Sequence, residues 1–168
     1  MNKGVLRFLI TAVIILLLQV LILNNIQFSG YINPYIYVMI IMLLPLEMAQ
    51  WLVLFISFGV GITIDSSAGT PGLHTSATLL AGFARPWLLR YISPRDGYEQ
   101  GAWPSMAEYG IRWFATYALW MILIHHFALF YIEVFRFTDF FRTLLRVLLS
   151  TSFSFIFVVV AEYYRKLK

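Results

Sequence analysis

The stretch from Ile56 to Pro86, ISFGVGITIDSSAGTPGLHTSATLLAGFARP, decides how this chain is read. It joins two apolar segments and places Asp65 directly at the end of a long hydrophobic run. Ser57, Gly61 and Asp65 recur every four residues, so on a helix they share one face. Ser57 and Gly61 are small enough to let a neighbouring helix approach closely. Ser66, Ser67, Gly69, Thr70, Pro71 and Gly72 then mark a turn. Beyond it the chain is rich in small residues, among them Thr75, Ala77, Thr78, Ala81 and Gly82. Such a helix is expected to be wrapped by protein rather than lipid. His74, Thr78, Ala81 and Arg85 fall on one of its faces. Pro86 predicts an end or a kink at Arg85, because proline removes a backbone donor and disfavours helical geometry before it.

Composition sets the class. Of 168 residues, 61% are hydrophobic and 12% charged. Soluble domains carry about 25% charged residues, so the reading is one all-α integral membrane domain. Cysteine is absent, which excludes disulfides, thiol nucleophiles and cysteine metal sites. The net charge is only +4, and no basic stripe of the kind that binds nucleic acid is present.

Working outward, six apolar segments are predicted as transmembrane helices near 5–23, 34–46, 48–65, 73–92, 106–132 and 143–163. The first, FLITAVIILLLQVLIL after Lys3 and Arg7, approaches the ~20 residues that span a bilayer and lacks a small-residue cleavage pattern. It reads as a retained helix, with Gln19 satisfied by a neighbour. Asn33-Pro34 predicts a capped helix start for the second segment. Pro45 and Glu47 punctuate its end, so a tight turn into the third helix is expected, with Glu47 at a membrane face. If the second segment were re-entrant, the count would fall to five and the termini would separate. Trp87, Arg90 and Tyr91 form an interfacial signature, and 93–104 is the longest polar loop. Tyr109, Trp113, Tyr117 and Trp120 form an aromatic stripe at helical spacing, read as lipid-facing or core packing. Glu133 to Arg142 is dense in phenylalanine and reads as an interfacial segment or docking surface.

Six spans bring both termini to one side. Assigned as cytoplasmic, that side holds Lys3, Arg7, Arg85, Arg90, Arg95, Arg112, Arg165, Lys166 and Lys168, against Arg136, Arg142 and Arg146 outside. That distribution obeys the positive-inside rule.

No catalytic constellation emerges. His125 and His126 are adjacent and point about 100° apart on a helix, so they are expected at the interface rather than on one metal ion. There is no zinc-protease pattern, serine elbow or phosphate loop. No cofactor is expected, and the chain reads as non-enzymatic. Asp65 has two readings. As a carboxylate at the edge of a membrane helix, it is either a polar anchor that receives a partner, with His74 its nearest candidate, or a cap that accepts backbone N–H bonds at the turn or the following helix. Ser57/Gly61 and Ser150/Ser154 are small-xxx-small pairs on which a partner helix is expected to dock.

The chain also resembles a known family. FGVGITID before the breaker-rich turn, TPGLHTSAT after it, and ARPWLLRYISPRDGYE beyond are similar to the rod shape-determining protein MreD family, most strongly from Leu44 to Glu99. The resemblance implies a multi-pass protein of the bacterial cytoplasmic membrane in the machinery that inserts lateral peptidoglycan. It implies as partners the bitopic protein MreC, the filament MreB, RodA and its penicillin-binding transpeptidase, with no catalytic activity. It also implies a helix bundle like the substrate-binding membrane subunits of vitamin transporters. The family's G-x-x-x-D aspartate falls on Asp65, with Gly61 before it and Gly72 after it. A rival reading of the same bundle is a small-solute-binding transporter subunit, its cavity lined by Asp65, His74, Thr78 and Arg85.

Overall fold

The computed structural model describes residues 3–26, 32–135 and 139–166. Arg136, Phe137 and Lys168, which the sequence reading used for topology and for the aromatic loop, lie outside the described residues. The elements are α1 (Lys3–Leu21), a 3-10 turn (Leu23–Asn25), α2 (Val38–Met42), α3 (Gln50–Ala68), α4 (Leu73–Tyr91), α5 (Met106–Val134) and α6 (Phe140–Lys166). Four helical stretches, Gly4–Asn25, α3, α5 and α6, are long and apolar enough to cross a membrane. The expected all-helical membrane bundle is what the chain forms. α1 lies on its outside, with Ile10, Val13, Ile14 and Leu17 about half exposed. In water those side chains would be a liability; against lipid they cost nothing.

α3 and α4 form the tightest hairpin, and small residues are the reason. A side chain on Gly61 would collide with the backbone of Thr75, and one on Gly82 with the hydroxyl of Ser57. Gly69 (φ 67°) and Gly72 (φ 79°) turn the chain between the helices in the left-handed region that favours glycine. α4 does not end at Pro86; it runs through to Tyr91. The proline leaves the Gly82 carbonyl without its helical donor, and Gln50 Nε2 donates to that carbonyl at 3.1 Å. A neighbouring side chain supplies what the proline removed, which is how membrane helices tolerate proline.

This packing makes a prediction. Gly61→Leu forces two backbones apart and should destabilise the protein by about 1–3 kcal/mol or more. Gly59→Ala, two residues away where an added Cβ meets no atom within 4 Å, should keep or slightly raise stability, since alanine is favoured over glycine inside a helix. Thermal unfolding of both variants in mild detergent checks the pair; equal melting temperatures would contradict the close approach.

The second crossing departs from the expected helix over 34–46. Residues 33–36 carry no regular secondary structure, only 38–42 are α-helical, and 45–48 turn into α3. Asn33-Pro34 therefore does not begin a helix. Tyr37 through Leu44 are buried almost completely, so this segment is the core of the bundle rather than one of its walls. It runs from one end to the other: the Asn33 N–H donates to Ser150 Oγ at 3.1 Å, and the Leu46 N–H donates to the Ala102 carbonyl at 3.1 Å. At that second end Glu47 also accepts from the Gly101 N–H at 3.3 Å. Counting this broken segment, the described chain passes between the ends of the bundle six times. The start of α1 and the end of α6 meet: Arg7 and Arg165 line one cavity.

Ser105 caps α5 by accepting from the Glu108 N–H at 3.2 Å. Gly110 (φ 82°, ψ 165°) breaks the helix one turn later. Buried Glu162 of α6 accepts from the Met106 N–H at 3.0 Å and pairs with Arg165, fastening the start of α5 to the end of α6. At the other end Arg146 pairs with Glu133 at 2.9 Å. Both ends of the expected phenylalanine-rich loop are helical, since α5 extends through Val134 and α6 begins at Phe140. In the polar loop, Tyr98 donates to the Leu89 carbonyl at 2.7 Å, and burial raises its phenol pKa.

Candidate functional site

Asp65 is 6% exposed and accepts four hydrogen bonds. Oδ1 takes the His74 N–H at 2.9 Å and Thr70 Oγ1 at 3.1 Å. Oδ2 takes the Thr75 N–H at 3.0 Å and Thr75 Oγ1 at 2.6 Å. The first N–H groups of a helix have no intrahelical acceptor. Asp65 supplies one from the end of the preceding helix, and its negative charge also suits the positive end of the α4 dipole. Of the two readings of this residue, the cap is the one the geometry realises. His74 meets Asp65 through its backbone, not its ring.

The ring of His74 turns the other way, toward the second crossing. Tyr37 Oη lies 2.8 Å from His74 Nδ1 and 2.6 Å from His125 Nε2. A phenol has one hydrogen to donate, so one ring receives it and the other presents N–H to the oxygen. His125 Nδ1 is buried without a hydrogen-bond partner among the described residues. His126 places Nδ1 2.9 Å from the Ile122 carbonyl and Nε2 3.3 Å from Ser154 Oγ. Both histidines are fully buried, which corrects their expected interfacial place. They sit in the middle of α5 because Tyr35 and Tyr37, on the buried crossing, pack edge-on and tilted against them and His74. Among the described residues no group of three or more histidines and carboxylates is arranged to hold a metal ion.

Arg85 is 2% exposed and points at the other end of the second crossing. Its Nη2 donates to the carbonyls of Leu44, at 2.5 Å, and Pro45, at 3.2 Å, while Nε donates to Tyr117 Oη at 2.9 Å. Tyr117 passes its own hydrogen to the Met42 carbonyl at 3.2 Å. The Met42 and Leu44 carbonyls are left open where α2 ends after five residues, while the Pro45 carbonyl also accepts from the Met48 N–H at 3.2 Å. Arg85 is therefore a buried clamp, not one of the surface cations that set topology.

Residues 33–36 need partners as well, since an irregular backbone inside a bundle has none of its own. Ser154 Oγ accepts from the Tyr35 N–H at 3.0 Å, beside the Ser150 bond to Asn33. Gln19 of α1 accepts from the Ile36 N–H at 2.8 Å and donates to the Pro34 carbonyl at 3.2 Å. Ser150 and Ser154 are thus fully buried backbone acceptors rather than a docking stripe for another protein. Ser57 and Gly61 are likewise covered, by α4. Gly72 sits at the α3–α4 turn and forms the left-handed lead into α4.

His74, Thr78, Ala81 and Arg85 do share one buried face, as their spacing predicts. It is filled by the chain itself. Sequence reasoning missed Tyr37 and Tyr117, the residues that join this face to α5. Each looks like ordinary aromatic packing in sequence. The available signal was that a buried tyrosine hydroxyl needs a partner, and the chain's histidines and Arg85 are suitable ones.

The fold and these clamps define a class: a polytopic helical membrane protein whose intramembrane polar residues hold a broken, buried crossing in place. Compared with known proteins, the chain matches no family model, no curated protein and no solved structure.

Proposed function

We propose that this protein is a non-enzymatic membrane scaffold of the MreD type, acting in the cell-elongation complex that builds lateral peptidoglycan. One observation carries the non-catalytic side of this reading. Asp65, Arg85, Ser150, Ser154 and Gln19 are each hydrogen-bonded within the chain to backbone that would otherwise be unsatisfied. Their roles are architectural. The biological side rests on the resemblance of the Leu44–Glu99 stretch. On this reading the protein lies in the bacterial cytoplasmic membrane with both termini inside. It binds MreC and works beside MreB, RodA and the penicillin-binding transpeptidase. Partner helices would meet an outward apolar face such as the Trp51–Phe55–Phe58 side of α3, because the small-residue faces are already occupied. The solute-binding reading is not the one we take, since Asp65, His74, Thr78 and Arg85 are engaged by the chain's own residues.

Purification of the tagged protein from mildly solubilised membranes, followed by identification of what accompanies it, tests the proposal. Recovery of MreC with RodA or the transpeptidase is expected. Recovery of an ATPase pair and its coupling membrane subunit, without wall-synthesis proteins, would overturn it.

A further inference from the structure

Two cavities meet on the side of the bundle where α1 faces α6. The larger is an apolar cleft of about 440 Å³, walled by Ile14 and Leu18 of α1 and by Phe157 and Ala161 of α6, with Ile36 and Met39 as its floor. The smaller, about 260 Å³, has a mixed lining that includes Trp103, Ser105 and Lys166. Arg7, Thr11 and Arg165 line both, so the apolar cleft opens past a cationic rim into the smaller cavity.

The cleft exists because α1 is held at few points. Gln19 ties it to the second crossing, and Asn24 ties the turn after it to Ser67 at 3.2 Å. Most of its other side chains face outward. Size narrows the occupant. At 1.5 Å per residue, the α1 wall from Arg7 to Leu18 is about 16 Å long, giving the 440 Å³ cleft a mean cross-section of about 27 Å². A single hydrocarbon chain fits a cleft of that width.

Charge narrows it further. Arg165 is paired with Glu162, whose other oxygen also accepts from Met106, so that carboxylate is committed. Arg7 is exposed and pairs with no carboxylate among the described residues. Arg7 and Lys166 then face only Glu108 across the smaller cavity, which leaves a net positive mouth. Basic pockets between transmembrane helices at the membrane edge select anionic head groups.

We infer that the α1–α6 cleft is a binding site for an anionic glycerophospholipid, with one acyl chain between the helices and the phosphate at Arg7. The site stands independently of the scaffold reading, since it depends only on a membrane environment. A bound chain here fills the gap beside α1 and holds that helix against the bundle.

The test uses the whole protein, delipidated in zwitterionic detergent and titrated with phosphatidylglycerol or phosphatidylcholine. Bound lipid is counted by native mass spectrometry. Phosphatidylglycerol should bind preferentially and raise the melting temperature. Arg7→Gln should weaken its apparent affinity about fivefold, the value of one arginine at an anionic surface. Ala161→Trp, at an exposed position, should displace the tightly held lipid. Both variants should melt like wild type without lipid, because neither side chain supports the core. Equal retention of the two lipids, or unchanged affinity in Arg7→Gln, would overturn the site. So would a photo-crosslinker at Ile14 that captures a polypeptide in native membranes instead of lipid.

Discussion

Asp65→Ala should destabilise the protein by about 3–5 kcal/mol, the largest loss expected from any single polar substitution in the chain. The carboxylate accepts from two backbone N–H groups and two hydroxyls, and three of those four bonds are buried. A hydrogen bond to a charged group contributes about 1.5–3 kcal/mol, and a buried donor left open costs about 1–3 kcal/mol. The four do not add fully, because the Thr70 and Thr75 hydroxyls can rotate to other acceptors. The His74 and Thr75 N–H groups cannot, since the helix geometry fixes them. Asp65→Asn keeps one carbonyl oxygen to accept with and should lose about half as much. Asp65→Glu should fall between, because an added methylene pushes the carboxylate into an α3–α4 contact that tolerates no side chain at Gly61. Thermal unfolding in mild detergent gives the order: wild type, then Asn and Glu, then Ala. An alanine variant that melts with wild type would mean that the carboxylate does not cap α4.

Arg85→Met should cost about 2–4 kcal/mol, and here two effects oppose each other. The guanidinium is buried, and a methionine of similar length would avoid its desolvation. Against that, the arginine bonds two backbone carbonyls and the Tyr117 oxygen at once. Met satisfies none of them, and the Leu44 carbonyl lies where α2 has already ended, whereas Pro45 keeps the Met48 N–H. An open acceptor fixed in the core outweighs the relief of desolvation. Arg85→Lys should recover only part of the loss. An ammonium is a point donor, whereas the three acceptors match a planar fork. The effect should be local first. Amide exchange in residues 43–48 should quicken before α3 or α6 loosens, and uniform exchange across the bundle would contradict the clamp.

Much of this architecture is legible in the sequence because it follows from local rules. The hydrophobic run after Arg7 and the apolar lengths of α3, α5 and α6 require helices that face lipid. The breakers after Asp65 require a turn, although Ser66 and Ser67 still continue α3 to Ala68 and only Gly69 to Gly72 make it; glycine is the residue that takes its left-handed positions. The four-residue spacing of Ser57, Gly61 and Asp65 places them on one buried face. The spacing of His74, Thr78, Ala81 and Arg85 does the same on α4.

What covers those faces was decided by tertiary structure. Small residues announce a close neighbour without saying whether it comes from the same chain, and here it is α4 against α3. The second crossing shows the limit most clearly. Asn33, Pro34 and the apolar run after them satisfy every local rule for a helix start. The backbone is nevertheless not helical there, because Ser150 and Ser154 offer it acceptors from 117 and 119 residues away, and Gln19 offers both an acceptor and a donor. Pro86 likewise reads as a helix end until Gln50 supplies the missing donor. Helix propensity counts bonds a segment makes with itself. In a core without water, the conformation that wins is the one whose every backbone group finds a partner, and those partners lie far away along the chain.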